Sequence, residues 1–350
     1  MPLSSESSSP LSVPDPVLER VSVVVAVYNG EPYLAEQLDS IASQARPFDE
    51  LLIRDDGSTD HSNAVINAWI EAHPNLNVRV LDSDENLGYI RNFARLLEAA
   101  SGDFIFLCDQ DDRWHPDKIE TMLQAHREFP EAQVIASSFS FMNQNGELFE
   151  ADPLPGWSNQ NLLEKSDITL NGMTPIELSD IFIHNGFQGC AMMITRDMAK
   201  RYVADQNFLL PHDWQLALLG ATTHSLYYLD KRLFDYRIHD SNTTSLPQAY
   251  SDSLLTKLKH ARTYYYRTAP YLDRIHVLCS LQITQSDLFT KDMAEELAFL
   301  ETYMEAMDRR SFSLYRKLMK DPKRSCMTRK EQICGWIYVL AGYRDKNRKR

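Results

Sequence analysis

Unbroken apolar runs and helical stripes alternate along the first third of the chain. "VSVVVAVYN" (21–29) is a continuous, largely β-branched run, the pattern of a strand covered on both faces. "EPYLAEQLDSIASQ" follows, with Leu34, Leu38 and Ile41 at helical spacing. A second strand, "DELLIRDD" (49–56), leads into the helix "STDHSNAVINAWIEAH", opened by Ser58 or Thr59 as cap. "NVRVLD" and "GYIRNFARLLEAA" supply a third strand and helix. "DFIFLCD" (103–109) and "HPDKIETMLQAHREF" supply a fourth pair, with Pro116 suited to the first helical turn. Four such alternations predict an α/β fold with parallel strands, right-handed crossovers and helices on both faces. Ligands of such sheets gather at the carboxyl ends of the strands.

Beyond Phe141 the pattern loosens. "FMNQNGELFEADPLPGWSNQN" reads as a turn and a long loop, and "GFQGCAMMITRDMAKRY" (186–202) as a strand entering a helix. "PHDWQLALLGA" (211–221) is a helix beginning near His212, and "HSLYYLDKRLFDYRIHDSN" (224–242) a strand or hairpin. From Tyr250 onward the patterns are helical. The expected division is a leader over 1–19, an α/β domain over 20–245, and a helical region over 246–350 ending in a basic tail.

Composition sharpens this outline. A chain of 350 residues that is 43% hydrophobic can bury a sizeable core. The net charge of −13 argues against nucleic acid as the general partner. From Arg309 to Arg350 there are 14 Lys/Arg and 3 Asp/Glu, a balance of +11, so the remainder carries −24. A basic tail on an acidic body calls for a partner of its own. The five cysteines are scattered with no CxxC pair, as expected of reduced thiols in a cytoplasmic protein. "MPLSSESSSPLSVPDPVLER" lacks the basic start and apolar run of a secretory signal and reads as a disordered leader. "ICGWIYVLAGY" (333–343) is too short by nearly half to span a bilayer.

The candidate chemistry lies in the loops after the strands: "YNGE", "RDDGSTD", "SDENLG" and "DQDDRW". Asp109, Asp111 and Asp112 crowd the tip of an apolar strand, where like charges raise one another's pKa. A divalent cation removes that cost, and hard oxygen ligands select Mg2+ or Mn2+, with substrate phosphates completing the shell. The same acids could instead serve the dipole of the helix at Pro116. In "RDDGSTD", Gly57 allows a tight turn and Asp56 could accept from a nucleobase imide, or the segment could be only a turn and cap. Tyr28 could lie flat against a base, or be a rim aromatic.

Taken in succession, "VSVVVAVYNGEPYLAEQLDSI", "DELLIRDDGSTD" and "ENLGYIRNFARLLEAASGDFIFLCDQDDRWHPDKI" resemble the family 2 glycosyltransferases of the GT-A fold, over roughly residues 20 to 245. The resemblance implies a Rossmann-like, mostly parallel sheet with a C-terminal helical extension, a nucleotide-sugar donor, a divalent metal and an inverting single displacement. Asp109 and Asp111 stand at the family's DxD positions. By position Asp56 would contact the base, Asp109 the ribose or metal, and Asp111 the metal and through it the diphosphate. Asp112 is an extra carboxylate, and Ala26 offers the base only backbone contacts. Asp213 in "PHDWQLALLG" matches the family's base, and a helix N-terminus is expected to lower its pKa and keep it ionised. Trp214 either stacks on a sugar or belongs to the core. In "DYRIHDSN", His239 is a candidate third metal ligand and Arg237 a candidate phosphate contact. Gln188 and Gly189 either line the sugar pocket or mark a glycine-kinked strand. Arg91 and Asn92 either touch the donor or form an exposed helix start. "DQDDRWHPDKI", with "NLG" and "NF" before it, most resembles bacterial rhamnosyltransferases that build cell-surface rhamnose polysaccharides. That implies dTDP-L-rhamnose as donor and a polyprenyl-diphosphate-linked glycan as acceptor.

The tail combines "YRKLMKDPKRSCMTRK" with "ICGWIYVLAGYRDKNRKR". It suits an interfacial helix on the anionic inner face of the cell membrane, or a helix packed on the catalytic domain with a solvated basic end. Three alternatives to the rhamnosyl reading are a UDP-hexose donor on the same machinery, a metal-dependent phosphotransfer site, and a non-catalytic nucleotide-sugar binder. The last two have no use for Asp213.

Overall fold

The computed structural model describes residues 19–83, 85–150, 172–181, 185–205, 209–239, 261–262, 264–284 and 286–342. Residues 1–18 of the expected leader and the basic end at 343–350 lie outside the described residues. Strands β1 (Val21–Val27), β2 (Glu50–Asp55), β3 (Val78–Val80) and β4 (Phe104–Asp109) pair in parallel in the order β3-β2-β1-β4. Helices α1 (Leu34–Ala42), α2 (Ser62–Ala72), α3 (Tyr89–Ala99) and α4 (Lys118–Glu128) follow them in turn.

Period-two geometry divides the strand residues between two apolar layers. Val21, Val23, Val25, Leu51, Ile53, Phe104 and Phe106 pack with Leu34, Leu38 and Ile41 of α1, Ile66 and Trp69 of α2, and Ile119, Met122 and Leu123 of α4. Val24, Leu52, Ile105 and Leu107 face Phe93, Leu96 and Leu97 of α3 on the other side. β1 stops at Val27, short of the expected Asn29. Asn29 adopts φ +54, and a left-handed residue cannot continue the ladder.

The second half of the sheet is mixed. It contains β5 (Arg113–Trp114), β6 (Val134–Asn143), β7 (Leu148–Phe149), β8 (Met173–Pro175), β9 (Met192–Thr195) and β10 (Leu226–Ile238). Three helices belong to it: α5 (Leu178–Ile181), α6 (Arg196–Asp205) and α7 (His212–Ala221). β9 is antiparallel between β4 and β6, whereas β10 lies parallel to β6. Over its described residues, 224–239, the segment is therefore not a hairpin. It is one strand with register shifts after Leu229 and Arg232, and it points the same way as β1 and β4. That direction carries Arg237 and His239 to the edge where β4 delivers Asp109. The two-residue β5 pairs with Phe234 and Asp235 of β10 and pins the chain just after the acidic tip.

Among the described residues four further helices follow: α8 (Tyr264–Thr284), α9 (Lys291–Asp308), α10 (Phe312–Leu318) and α11 (Arg329–Ala341). Val277 and Leu281 of α8 join the α3 side of the sheet, and Ser280 Oγ donates to Gln215 Oε1 of α7 at 2.8 Å. Tyr271 and Leu278 of α8 instead enter a separate core with Leu300, Tyr303, Tyr315 and Tyr338. Thr290, Ser311 and Thr328 cap α9, α10 and α11, Thr328 through a full capping box. No helix among the described residues is long and apolar enough to cross a membrane.

Candidate active site

The site lies at the carboxyl edge of β1, β2, β4 and β10. Gln110 braces its floor: its amide accepts from Tyr28 N–H at 2.6 Å and donates to Tyr28 C=O at 2.9 Å. A Cβ at Gly30 would displace that amide, so glycine there leaves room for the Gln110 side chain to reach Tyr28. Tyr28 keeps its ring half exposed over the cleft. Ala26 pairs in register with Arg54 on one side and Asp109 on the other, and its methyl packs against the α3 side of the sheet.

Asp56 is buried and fully engaged. Oδ1 accepts from Arg54 at 2.7 Å and from Leu87 N–H at 2.9 Å, and Oδ2 accepts from Gly88 N–H at 2.7 Å. Arg54 also donates to Asn92 Oδ1 at 3.0 Å, so Asn92 is an internal brace and not an exposed helix start. Gly57 and Gly88 have φ of +83 and +74, as the turns on either side of Asp56 require. Beside them opens a polar cavity of about 250 Å³ lined by Arg54, Leu81, Asp82, Glu85, Leu87 and Arg95. Asp56 thus shapes this cavity's wall through Leu87 and Gly88. Arg91 is exposed on the first turn of α3.

The acidic tip is organised differently. Asp112 is fully buried; Oδ1 accepts from Arg237 N–H at 3.0 Å, and Oδ2 has no hydrogen-bond partner. Burial and the charges of Asp111 and Asp109 push its pKa well up. Burial, then Asp111 and Asp213, push Asp109 up to about 7. Ligand atoms of Asp109, Asp112 and Cys190 lie within 4.8 Å of one another. Asp111 Oδ2 stands 2.9 Å from His239 Nε2, whose ring packs against Tyr33 with centroids 4.9 Å apart.

Arg237 does not face the cleft as a phosphate contact would. It is buried, donating to Asp111 C=O at 2.7 Å and to Glu36 Oε2 at 2.5 Å, with Tyr33 beneath the guanidinium. Its role is to hold the acidic loop against α1. Lys118 is the cation the sequence reading passed over. It is completely buried, donates to Cys190 C=O at 3.0 Å and lies over the rings of Phe234 and Trp114. Burial lowers its pKa to about 8, with Asp112 among the groups opposing that fall. "PDK" after the acids was the available signal.

Asp213 opens α7, and its Oδ1 accepts from Trp214 N–H at 2.7 Å. The expected lowering by the helix end does not prevail: burial outweighs it and raises Asp213 to about 7. Trp214 belongs to the core, donating to Ile181 C=O at 3.0 Å. His212 is buried against Phe93 with centroids 3.9 Å apart, and neither ring nitrogen has a partner. Burial holds its pKa near 3, so it stays neutral. A Cβ at Gly189 would strike this imidazole, while Gln188 places an unpartnered, buried Oε1 beside it in sequence. Gly189 sits in a single 3-10 turn before β9.

A divalent cation fits these residues. Three carboxylates repel one another around an unpaired buried oxygen, and the two buried cations beside them, Lys118 and Arg237, direct their charged groups at the carbonyls of Cys190 and Asp111. Asp109 and Asp112 bring carboxylate oxygens within 4.8 Å of one another, the hard-oxygen pair of this corner. Burial and the two aspartates push the Cys190 thiol well up, leaving it protonated and a poor ligand for a hard ion.

Comparison with known proteins gives a consistent picture. Residues 22–201 match the family described as Glycosyl transferase family 2. The dTDP-rhamnosyl transferase RfbG of Shigella flexneri is 27% identical over 231 residues, 62% of this chain and 72% of that protein. An uncharacterized protein of Mycobacterium tuberculosis is 26% identical over 221 residues, 63% of this chain; the match spans only 59% of that relative's length. Among solved structures, Staphylococcus aureus TarS in complex with UDP-GlcNAc superposes with a TM-score of 0.51 at 15% identity, over 90% of this chain and 79% of that one.

Proposed function

The chain belongs to glycosyl transferase family 2, and from that premise we propose that it moves a sugar from a nucleoside-diphosphate donor to an acceptor hydroxyl with inversion. The observation that carries this reading is the meeting of Asp213 with the Asp109–Asp112 tip at one sheet edge. His212, next to Asp213, sets its imidazole against Gly189, and the following Cys190 lies within 4.8 Å of Asp109 and Asp112, although 104 positions separate Asp109 from Asp213 in sequence.

In the proposed reaction the acceptor oxygen forms a bond to the anomeric carbon as the bond to the diphosphate oxygen breaks. The acceptor proton passes to Asp213, whose pKa of about 7 suits a base working near neutrality. Asp109, Asp111 and His239 would hold Mg2+ or Mn2+, which supplies charge neutralisation to the departing diphosphate. Neutral His212 flanks the base without competing for its proton. Tyr28 covers the nucleobase, and the cavity walled by Arg54 and Leu87 receives the nucleoside end, with Asp56 fixing that wall. Arg91 and Gln188 remain candidates for the donor phosphate and sugar.

We take dTDP-L-rhamnose as the donor, on the likeness to RfbG, and a lipid-linked surface glycan as acceptor. Inversion of a β-configured donor gives an α-linked product. The test is nucleoside diphosphate release from dTDP-rhamnose, UDP-glucose, UDP-galactose and UDP-GlcNAc with Mg2+ or Mn2+. Release from dTDP-rhamnose, lost in Asp111→Asn and Asp213→Asn, is the expected result. Release from a UDP-sugar alone would replace the donor. Release unaffected by Asp213→Asn would remove the base.

A further inference from the structure

Helix α11 is apolar on two sides and covered on one. Gly335, Tyr338 and Val339 are buried against the C-terminal core. On the opposite side Ile333, Ile337 and Leu340 share one face, and Trp336 borders it, its ring set edge-on against Tyr315 of the C-terminal core at 4.7 Å. Ile333 and Leu340 are 61% and 65% exposed, and Trp336 and Ile337 are half-buried. Phe312 of α10, 50% exposed, extends this face through ring contact with Trp336 at 5.2 Å. An apolar stripe of this kind is normally buried against something.

The surroundings of the stripe are cationic. Arg329 and Lys330, one turn before Ile333, are exposed, and so is Arg316, one turn after Phe312. The acid at this helix start, Glu331, is turned into the capping box, where its Oε2 accepts from Thr328 N–H and Oγ at 2.7 Å each. The sequence that follows the helix, "YRDKNRKR", adds five more cations and one acid.

We propose that this face docks on an anionic lipid bilayer, with Phe312, Ile333, Trp336 and Leu340 entering the headgroup boundary and Arg316, Arg329 and Lys330 engaging lipid phosphates. A second copy is a poorer occupant. Two such faces brought together by a twofold axis would oppose their basic rims. Elsewhere among the described residues the exposed large apolar side chains, such as Val80, Leu148 and Leu209, are spread over separate elements and form no matching stripe. The proposal deepens the reading of a lipid-linked acceptor but concerns a surface separate from the donor site, so the two fail independently.

The experiment is co-sedimentation of the full chain with vesicles of phosphatidylcholine alone and of phosphatidylcholine mixed with phosphatidylglycerol. The wild type is expected to bind the anionic vesicles and to be weakened by salt. The pair Ile333→Asp/Leu340→Asp should lower partitioning roughly tenfold or more, and Arg316→Glu/Arg329→Glu/Lys330→Glu roughly a hundredfold. Lipids brominated near the headgroup should quench Trp336, as judged against Trp336→Phe. All substituted side chains except that of Trp336 are exposed, so thermal unfolding and donor hydrolysis should match wild type. Absence of binding to anionic vesicles, or equal binding by the Asp pair, overturns the proposal. So does a dimer in solution that the Asp pair dissociates, because a second copy would then be the occupant.

Discussion

At the end of β2, Asp55 and Asp56 accept hydrogen bonds at every carboxylate oxygen, from Ser58, Asn63, Arg54 and the Leu87 and Gly88 amides. At the end of β4, two strands away across β1, Asp109 and Asp112 are forced toward protonation, and Asp112 keeps a buried oxygen without a partner. The residue type and the sheet edge are the same. The difference lies in what the chain supplies around them. The first cluster has been given donors and has become architecture. The second has been given fewer, the Arg237 amide at one oxygen of Asp112 and none at the other, and that deficit is what an external cation would fill. Strain left at one corner and relieved at its neighbour separates a site from a scaffold.

The comparison breaks most sharply at the base. Asp213→Asn should lower turnover roughly a thousandfold, measured as kcat with the favoured donor, while leaving the fold at least as stable. On the scaffold side the expectation reverses. Asp56→Asn leaves Arg54 buried without its counter-charge and should cost about 3 kcal/mol in urea unfolding, whereas Asp109→Asn should cost nothing or add about 1 kcal/mol. Divalent metal sharpens the contrast from the other direction. Mg2+ or Mn2+ at about a hundred times its dissociation constant should stabilise the wild type by about 2.7 kcal/mol and Asp111→Asn far less, read as a thermal shift.

Titration gives a smaller effect with a defined sign. Folded Asp213 keeps its proton up to about pH 7, whereas the unfolded chain releases it near 3.8. The folded state therefore binds more protons in that window, and metal-free stability should fall as pH rises through it, by about 1–3 kcal/mol. Asp213→Asn should reduce that slope, leaving the part that Asp109 and Asp112 contribute, and transfer by the wild type should rise through the same range. Last, Gly88→Ala should cost about 1 kcal/mol, purely from its positive φ, because a Cβ there meets nothing within 4 Å.

The first four strands and their helices were legible because period-two and helical patterns are local. The course of β10 was not: a hairpin and a kinked single strand share one apolar pattern, and only pairing with β6 separates them. The antiparallel direction of β9 is equally non-local. Asp109, Asp111 and Asp213 were nominated through motif order and carry the proposed mechanism. The fates of Asp56 and Arg237 were not, because their partners, the Leu87 and Gly88 amides and Glu36, come from distant segments. The desolvation that raises Asp213 against its helix end likewise has no sequence signature.

Gln110 occupies the unspecified middle position of the DxD motif, and its amide has a consequence of its own. The β1–β4 ladder ends where Ala26 faces Asp109. One step beyond, the side chain of Gln110 receives and donates to the Tyr28 backbone as a facing peptide group would. A side chain thus counterfeits one more rung after the strands have parted. Such a rung needs a donor and an acceptor on one planar group at that reach, which asparagine is too short to supply and glutamate too acidic. The mouth of the cleft is therefore held at a set width before any substrate arrives, and opening it would mean breaking both bonds of the rung at once.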